Sequence, residues 1–484
     1  PACCAHYALL SGPVITMAHR STLLVALLAL CVALSSATLI KQTLEAQELT
    51  GWRRDSHRRY FEDPLGLADT IYSTLLTVAG QNYRVIMDTG SATVFLIGRN
   101  CTKANTGQGC QYATNFYDGS GSTFAYSYNE CGPGGSINYG GATGVCRLSA
   151  VYGDGSYVYA VGIQDTATIG PYTGNIKFGM AYNTSTSFIL SGTDGIWGLG
   201  RYLPSSYVGV PGPFYAATTV GLTAQFATCF TSSGGELHLG GYDSSYASSG
   251  ISWFPWLTSQ VHYQLTLATL TVNGNTVGAD GTSSIIFDSG STVSYFPSTV
   301  FSNMIAQIQA ACPTCNTNIF TSGGSAVVNP DSYPDIVVSF VDASNSVIPL
   351  TLTGRQYLRP TNNAAIWAGG FFSSNFYLFG VSFIRNWYLV FDVANDRLGI
   401  GSLNSAQCSG ALSPTGPLKT ISPSTPKPPT SSGTPPPTSP GTPPTATTPP
   451  SPDMTSPDSP TGNANSASIS LLLAALLALF ALLF

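Results

Sequence analysis

At 484 residues the chain is longer than one hydrophobic core ordinarily fills, so at least two lobes and some non-globular sequence are expected. With 43% hydrophobic and only 8% charged residues it is too apolar for a disordered chain, and the absence of a basic stripe excludes a nucleic-acid partner. A formal net charge of -5 suits an acidic medium and disfavours electrostatic capture of anions.

The sequence opens on Pro1, and Met17 is read as the initiator, which leaves 1–16 as an upstream segment outside the native product. Residues 17–37 have the form of a signal peptide. Met17 to Arg20 is basic, Leu23 to Leu34 is apolar, and Ser35-Ser36-Ala37 supplies the small residues of a cleavage site. Residues 38–63 read as a short propeptide in which Lys41, Arg53, Arg54, Arg58 and Arg59 concentrate basic charge. Such a run forms either a solvated linker or an inhibitory segment that pairs with acids at neutral pH and releases them when they protonate; the two Arg-Arg pairs also suit a dibasic protease.

From Ile71 to Gly401 short apolar runs alternate with Gly, Ser, Asn and Asp. Tyr157 to Ile169, Tyr263 to Val272 and Ile336 to Phe340 carry the β-branched and aromatic residues of half-buried strands. Phe301 to Cys312 is the best helix, with Ser298 or Thr299 as its cap after Pro297. The fold class is therefore all-β in the sense of mostly β. Asn100-Cys101-Thr102 and Asn183-Thr184-Ser185 are N-glycosylation patterns, so Asn100 and Asn183 are acceptor candidates.

Of 11 cysteines, Cys3, Cys4 and Cys31 precede the body. The even set that remains, in an exported chain, points to disulfides, and the 5 histidines are too scattered for a zinc cluster. No metal and no cofactor are expected. Cys312 and Cys315 form a C-x-x-C that reads as a local structural bridge in preference to a redox or zinc site. Cys101, Cys110, Cys131 and Cys146 fall together in the long segment 99–146, and their pairing stays open among three possibilities.

Leu412 to Thr461 is dominated by Pro, Ser and Thr and reads as an extended, O-glycosylated stalk. The apolar run Ile469 to Phe484 is shorter than the ~20 residues that span a bilayer and follows small residues and a polar spacer, the pattern of a GPI-attachment signal over 462–484. Gly462 and Asn463 are the candidate attachment sites, with a simple tail anchor as the alternative.

One pattern occurs twice, as Val85-Ile86-Met87-Asp88-Thr89-Gly90-Ser91 and Ile285-Ile286-Phe287-Asp288-Ser289-Gly290-Ser291. Asp-Gly turns are common in this chain, Asp118-Gly119 and Asp154-Gly155 among them. Three apolar residues before each acid set the pair apart, because the turn then grows from a buried strand. Two lobes would each bring one acid to a shared cleft. Two close carboxylates cannot both ionise easily and hold one proton between them, so the ionised member can activate a water while the protonated one polarises a carbonyl.

The region from Tyr72 to Gly401 resembles the pepsin-like aspartic endopeptidases, and with its tail the GPI-anchored type of that family. Gln81 to Leu96 and Ile285 to Phe296 are similar to the two catalytic segments. Val151 to Ser156 resembles the flap, Asp194 to Gly198 and Leu378 to Gly380 the apolar elements behind each acid. Gly235 to Tyr246, His262 to Leu267, and Phe383 to Asp392 follow the family order.

The resemblance implies a bilobal pepsin-like fold with its cleft between an N-terminal lobe, 64–247, carrying the Cys-rich insertion 99–146, and a C-terminal lobe, 248–411. It implies Asp88 and Asp288 as catalytic, Thr89 and Ser289 as cross-links between the loops, Ser91 and Ser291 as partners of the carboxylates, and Gly90 and Gly290 as the turns. Tyr152 and Gly153 would close over substrate, Cys229 would pair with Cys408, and 38–63 would inhibit the zymogen. The implied enzyme is a monomer that hydrolyses polypeptides in the secretory pathway, at the cell surface or in an acidic extracellular compartment, held to a membrane by its GPI anchor. Two departures stand out: Phe95 replaces the usual Trp, whose indole bonds the flap tyrosine, and Val381 replaces a frequent Asp, implying a less acidic optimum. The alternative function is a catalytically weak binding, adhesion or inhibitor protein on the same fold; the two complete acid motifs and Tyr152 argue against it.

Overall fold

Among the described residues, the alternating β-branched and aromatic residues pair into sheets of 15, 8 and 3 strands. The computed structural model describes residues 39–48 and 70–408, apart from 104–107, 133–134, 154, 186–187, 190–191, 202–209, 211, 220, 232–233, 260, 280 and 362. The chain divides at residue 422 into two units, and all described residues belong to the first. The segments read as upstream sequence (1–16), a signal peptide (17–37) and a stalk (412–461), most of 38–63, and 462–484 with Gly462 and Asn463 lie outside the described residues.

Each acid leaves its strand at an equivalent place. Strand Gln81–Asp88 runs parallel to Gly195–Gly198, with Val85 beside Gly195 and Asp88 beside Gly198, and Gly195–Gly198 pairs antiparallel with Val94–Ile97. In the second copy Ser284–Phe287 runs parallel to Leu378–Phe379, which pairs antiparallel with Ser294–Pro297 at Tyr295. Val85, Met87, Ile285 and Phe287 are buried in the continuous core, so packing fixes each strand up to the residue where its acid emerges.

The expected lobe boundary near residue 247 runs through a shared sheet. Strand Trp387–Asp392 pairs with Gln225–Thr231 and with Arg397–Ser402, so the last strands of the C-terminal part complete the sheet of the first. The Cys229–Cys408 disulfide fastens the same junction. Strand Ile40–Glu48, from the segment read as a propeptide, is inserted between Gly234–Leu239 and Thr70–Val78.

The expected strands appear as Tyr157–Ile169, Gln264–Val272 and Ile336–Val341. The helix begins earlier than its apolar pattern suggests, spanning Ser298–Ala311. Pro297, the last residue of a strand, stands at the N-cap position with φ -51°, and the Ser298 hydroxyl turns to Ser373 Oγ at 2.8 Å and to the Ser374 carbonyl at 3.2 Å instead of capping.

Behind the first acid strand, the fully buried Asp194 carboxylate accepts hydrogen bonds from Arg84 N at 2.8 Å, Thr114 N at 2.8 Å, Thr114 Oγ1 at 2.9 Å, Asn115 N at 2.7 Å and Asn115 Nδ2 at 3.3 Å. Backbone donors thus take the place of water around this buried group. Asp194→Asn turns an amide NH2 onto these donors; denaturant unfolding is expected to show a loss of about 3 kcal/mol or more, with full cleavage of the first lobe by a probe protease before the second.

Candidate active site

Two hydroxyls join the acid-bearing loops. Thr89 Oγ1 donates to the Phe287 carbonyl at 2.9 Å and accepts from Ser289 N at 3.0 Å. Ser289 Oγ mirrors it, donating to the Met87 carbonyl at 2.9 Å and accepting from Thr89 N at 3.0 Å. All four bonds are buried, where each is worth more than in water. They satisfy backbone groups that would otherwise be stranded between the two halves of the chain.

Each carboxylate is held in the same way. Gly90 N donates to Asp88 Oδ1 and Gly290 N to Asp288 Oδ1, both at 2.8 Å. Ser91 Oγ bonds Asp88 Oδ2, and Ser291 Oγ bonds Asp288 Oδ2 at 2.6 Å. The glycines permit the approach: a Cβ on Gly90 would fall 2.5 Å from Asp288 Oδ1, and one on Gly290 2.5 Å from Asp88 Oδ1.

Asp88 is buried, and its carboxyl lies within hydrogen-bonding reach of Asp288. Burial first, and the facing Asp288 carboxylate second, hold Asp88 well above the ordinary carboxylate range against the opposing pull of Ser91 and Gly90. The pair therefore retains a proton at pH values where isolated carboxyls have lost theirs, and the titration belongs to both members. Such an arrangement can bind one water and both take and give a proton.

Tyr152 sits at the tip of the hairpin formed by Ala142–Val151 and Tyr157–Ile169, where Tyr152 N donates to the Ser156 carbonyl and Gly155 N to the Tyr152 carbonyl, each at 2.8 Å. Gly153 is exposed beside it. The Tyr152 ring packs on Phe188 at 5.8 Å between centroids, and Phe188 meets Phe95 edge-on at 6.1 Å. Phe95 thus keeps its place in an aromatic chain that also joins Ile86 of the first acid strand. Sequence reasoning missed Phe188, which opens the short apolar run Phe188-Ile189-Leu190 outside any recognised motif.

The segment 99–146 holds two local bridges, Cys101–Cys110 and Cys131–Cys146, and Cys312 is bonded to Cys315. Asn100 is exposed, whereas Asn183 lies within strand Tyr172–Thr184 with its Oδ1 buried. Val381 is buried and donates its N–H to the Ser291 carbonyl at 2.7 Å, a backbone role independent of its side chain.

A family model described as eukaryotic aspartyl protease matches residues 72–403. Pepsin A of Sus scrofa is 27% identical over 362 residues, covering 70% of this chain and 83% of its own. Pepsin A of Bos taurus is 28% identical over 364 residues, covering 70% and 86%, and an aspartic protease of Phaffia rhodozyma is 26% identical over 337 residues, covering 69% and 76%.

Thr89→Val strands the Ser289 N–H and the Phe287 carbonyl in the interior, and equilibrium unfolding is expected to register a loss of about 2–4 kcal/mol. A Thr89→Val, Ser289→Ala double variant is expected to lose less than the two single losses added, because the hydroxyls form one network. The raised Asp88 fixes a second sign. Between the ordinary carboxylate pKa and its own higher value the folded protein holds more protons than the unfolded chain, so stability falls as pH rises through that window. Asp88→Asn removes that loss, and its Tm relative to the parent is expected to be higher at pH 7 than at pH 4.

Proposed function

The chain belongs to the eukaryotic aspartyl protease family and is an aspartic endopeptidase, and from that premise we propose that Asp88 and Asp288 perform the hydrolysis. The observation that carries the assignment is the matched pair of loops, each presenting a carboxyl bound by its own Gly N–H and Ser hydroxyl and each tied to the other by Thr89 and Ser289. With one proton on the pair, the ionised carboxylate takes a proton from a water held between them. The resulting hydroxide attacks the scissile carbonyl, whose oxygen is polarised by the protonated member. The tetrahedral species collapses as the amide nitrogen is protonated, and no covalent bond to the enzyme forms. Thr89 and Ser289 fix the separation of the acids, and Gly90 and Gly290 allow their approach. Tyr152 and Gly153 cover an extended polypeptide lying across the cleft.

The chain acts outside the cell, attached to its surface. The signal-peptide pattern at 17–37, the Pro/Ser/Thr-rich stretch 412–461 and the small residues around Gly462 and Asn463 before a short apolar run support that reading, with the stalk lifting the catalytic body off the membrane. Residues 38–63 serve as a propeptide, and the insertion of Ile40–Glu48 into the central sheet means that its removal must break strand pairing as well as the Lys41–Asp243 ion pair.

The full chain expressed in a eukaryotic cell is expected to reach the surface and to be released by phosphatidylinositol-specific phospholipase C; retention after treatment would replace the lipid anchor by a tail helix. Released and processed protein is expected to cleave an unfolded substrate increasingly as pH falls from 7, with at least about a thousandfold loss in Asp288→Ala and inhibition by pepstatin. Undiminished cleavage by Asp288→Ala would remove Asp288 from the mechanism.

A further inference from the structure

The elements behind the two acids are held by different means. Gly195–Gly198 has 4 residues and Leu378–Phe379 only 2, so a shorter ladder stands behind Asp288 than behind Asp88. Gly198, beside Asp88, donates its N–H to a backbone carbonyl, that of Thr93, at 3.3 Å. Gly380 follows Phe379, which is paired with Phe287, and so takes the same place beside Asp288. Its N–H goes to a side chain instead, the Ser294 hydroxyl, at 3.1 Å.

Ser294 Oγ lies 3.1 Å from Ser382 Oγ, and Ser382 Oγ donates to the Gly370 carbonyl at 2.5 Å. A carbonyl has no proton to give, so the Ser382 proton is committed there and the Ser294 proton goes to Ser382. The bonds therefore run one way, from Gly380 N–H through Ser294 and Ser382 to Gly370. Both serines are buried, and a link broken in the interior strands its partner at the full desolvation cost.

The amide fixed in this way belongs to the turn that grips both ends of the second acid loop. The Phe379 carbonyl accepts Asp288 N at 2.9 Å, Val381 N donates to the Ser291 carbonyl at 2.7 Å, and Ser382 N donates to the Thr292 carbonyl at 2.9 Å. Ser291 Oγ in turn holds Asp288 Oδ2 at 2.6 Å. Gly380 is packed so closely that a Cβ on it would fall 2.2 Å from the Val293 carbonyl oxygen. A shift of this turn thus reaches Asp288 twice, through its backbone and through its carboxyl.

We propose that Ser294 and Ser382 are positioning residues for Asp288, a buried hydroxyl relay that does for the second acid what a longer backbone ladder does for the first. This inference rests on the assignment of Asp288 as a reacting acid. Both serines act through the Gly380 turn and not on the substrate. Val94 follows Asp88 at the interval by which Ser294 follows Asp288, so the acid motif does not itself demand a hydroxyl there.

Ser294→Thr and Ser294→Val form the decisive pair, since their side chains have nearly one shape and differ by the hydroxyl. The first keeps an acceptor for Gly380 N and a donor for Ser382; the second removes both. With kcat expressed per folded molecule, from unfolding curves taken at the assay temperature, Ser294→Val is expected to turn over about tenfold or more slowly than Ser294→Thr. KM is expected to stay within about twofold, because placement at the reacting centre is lost and substrate binding is not. Equal kcat in the two variants would overturn the proposal, since a packing role depends on shape alone. If Ser294→Val fails to fold, Ser382→Ala decides. It removes the acceptor of the Ser294 proton and is expected to lower kcat by about threefold or more at unchanged KM, and the parental kcat would overturn the relay. The parallel assay of Asp288→Ala separates the two layers. Activity in Asp288→Ala sinks the assignment of the acid, whereas an inactive Asp288→Ala with equal Ser294→Thr and Ser294→Val sinks only the role of the serines.

Discussion

Thr89 Oγ1 and Ser289 Oγ each accept an amide N–H from the opposite loop and donate to a carbonyl on the strand behind the opposite acid. Because both hydroxyls are spent on backbone groups, neither loop can shift without stranding a buried donor and a buried acceptor. The separation of the carboxyls, the proximity of Gly90 and Gly290 to the opposite acid, and the raised proton affinity of Asp88 all follow from that tie. Two carboxylates this close repel one another, so the fold holds them together at a cost that the surrounding hydrogen bonds and sheet pairing offset.

The larger architecture serves the same constraint. A sheet that runs from Ile40–Glu48 through Gln225–Thr231 to Trp387–Asp392 and Arg397–Ser402 makes the two halves one hydrogen-bonded body beneath the loops, and Cys229–Cys408 closes it. Parallel strands Gly195–Gly198 and Leu378–Phe379 lie beside the acid strands in equivalent positions, which is why two unequal stretches of sequence deliver their acids in matching orientations. Aromatic contacts then reach outward from the first acid strand, by way of Phe95 and Phe188, to the Tyr152 hairpin.

Much of this was legible in the sequence because the acid motifs are local. Three apolar residues, an acid, a hydroxyl residue and a glycine are contiguous, and their chemistry requires them to be so. The four disulfides among the described residues agree with the even cysteine count of a chain read as exported, although the pairing within 99–146 depends on how two short 3-10 turns, a helical turn and a strand are placed. Features set by register or by distant packing left no comparable trace. Phe188 opens the three-residue apolar run Phe188-Ile189-Leu190, too short to reveal a partner, and its contact with Tyr152 appears only in the folded chain. The early start of helix Ser298–Ala311 was hidden because Ser298 has the composition of a cap, yet its hydroxyl is taken by Ser373 and Ser374. Nor does the pattern of any single segment reveal that strands near residue 400 complete a sheet begun near residue 40.

At the centre of the account is one proton shared by Asp88 and Asp288. Neutron diffraction from crystals of the processed enzyme grown in deuterated buffer near pH 5 would locate it directly. A single deuteron on the pair, lying between the two carboxyl groups, is the expected result. Two fully ionised carboxylates, or two that are each deuterated, would contradict it.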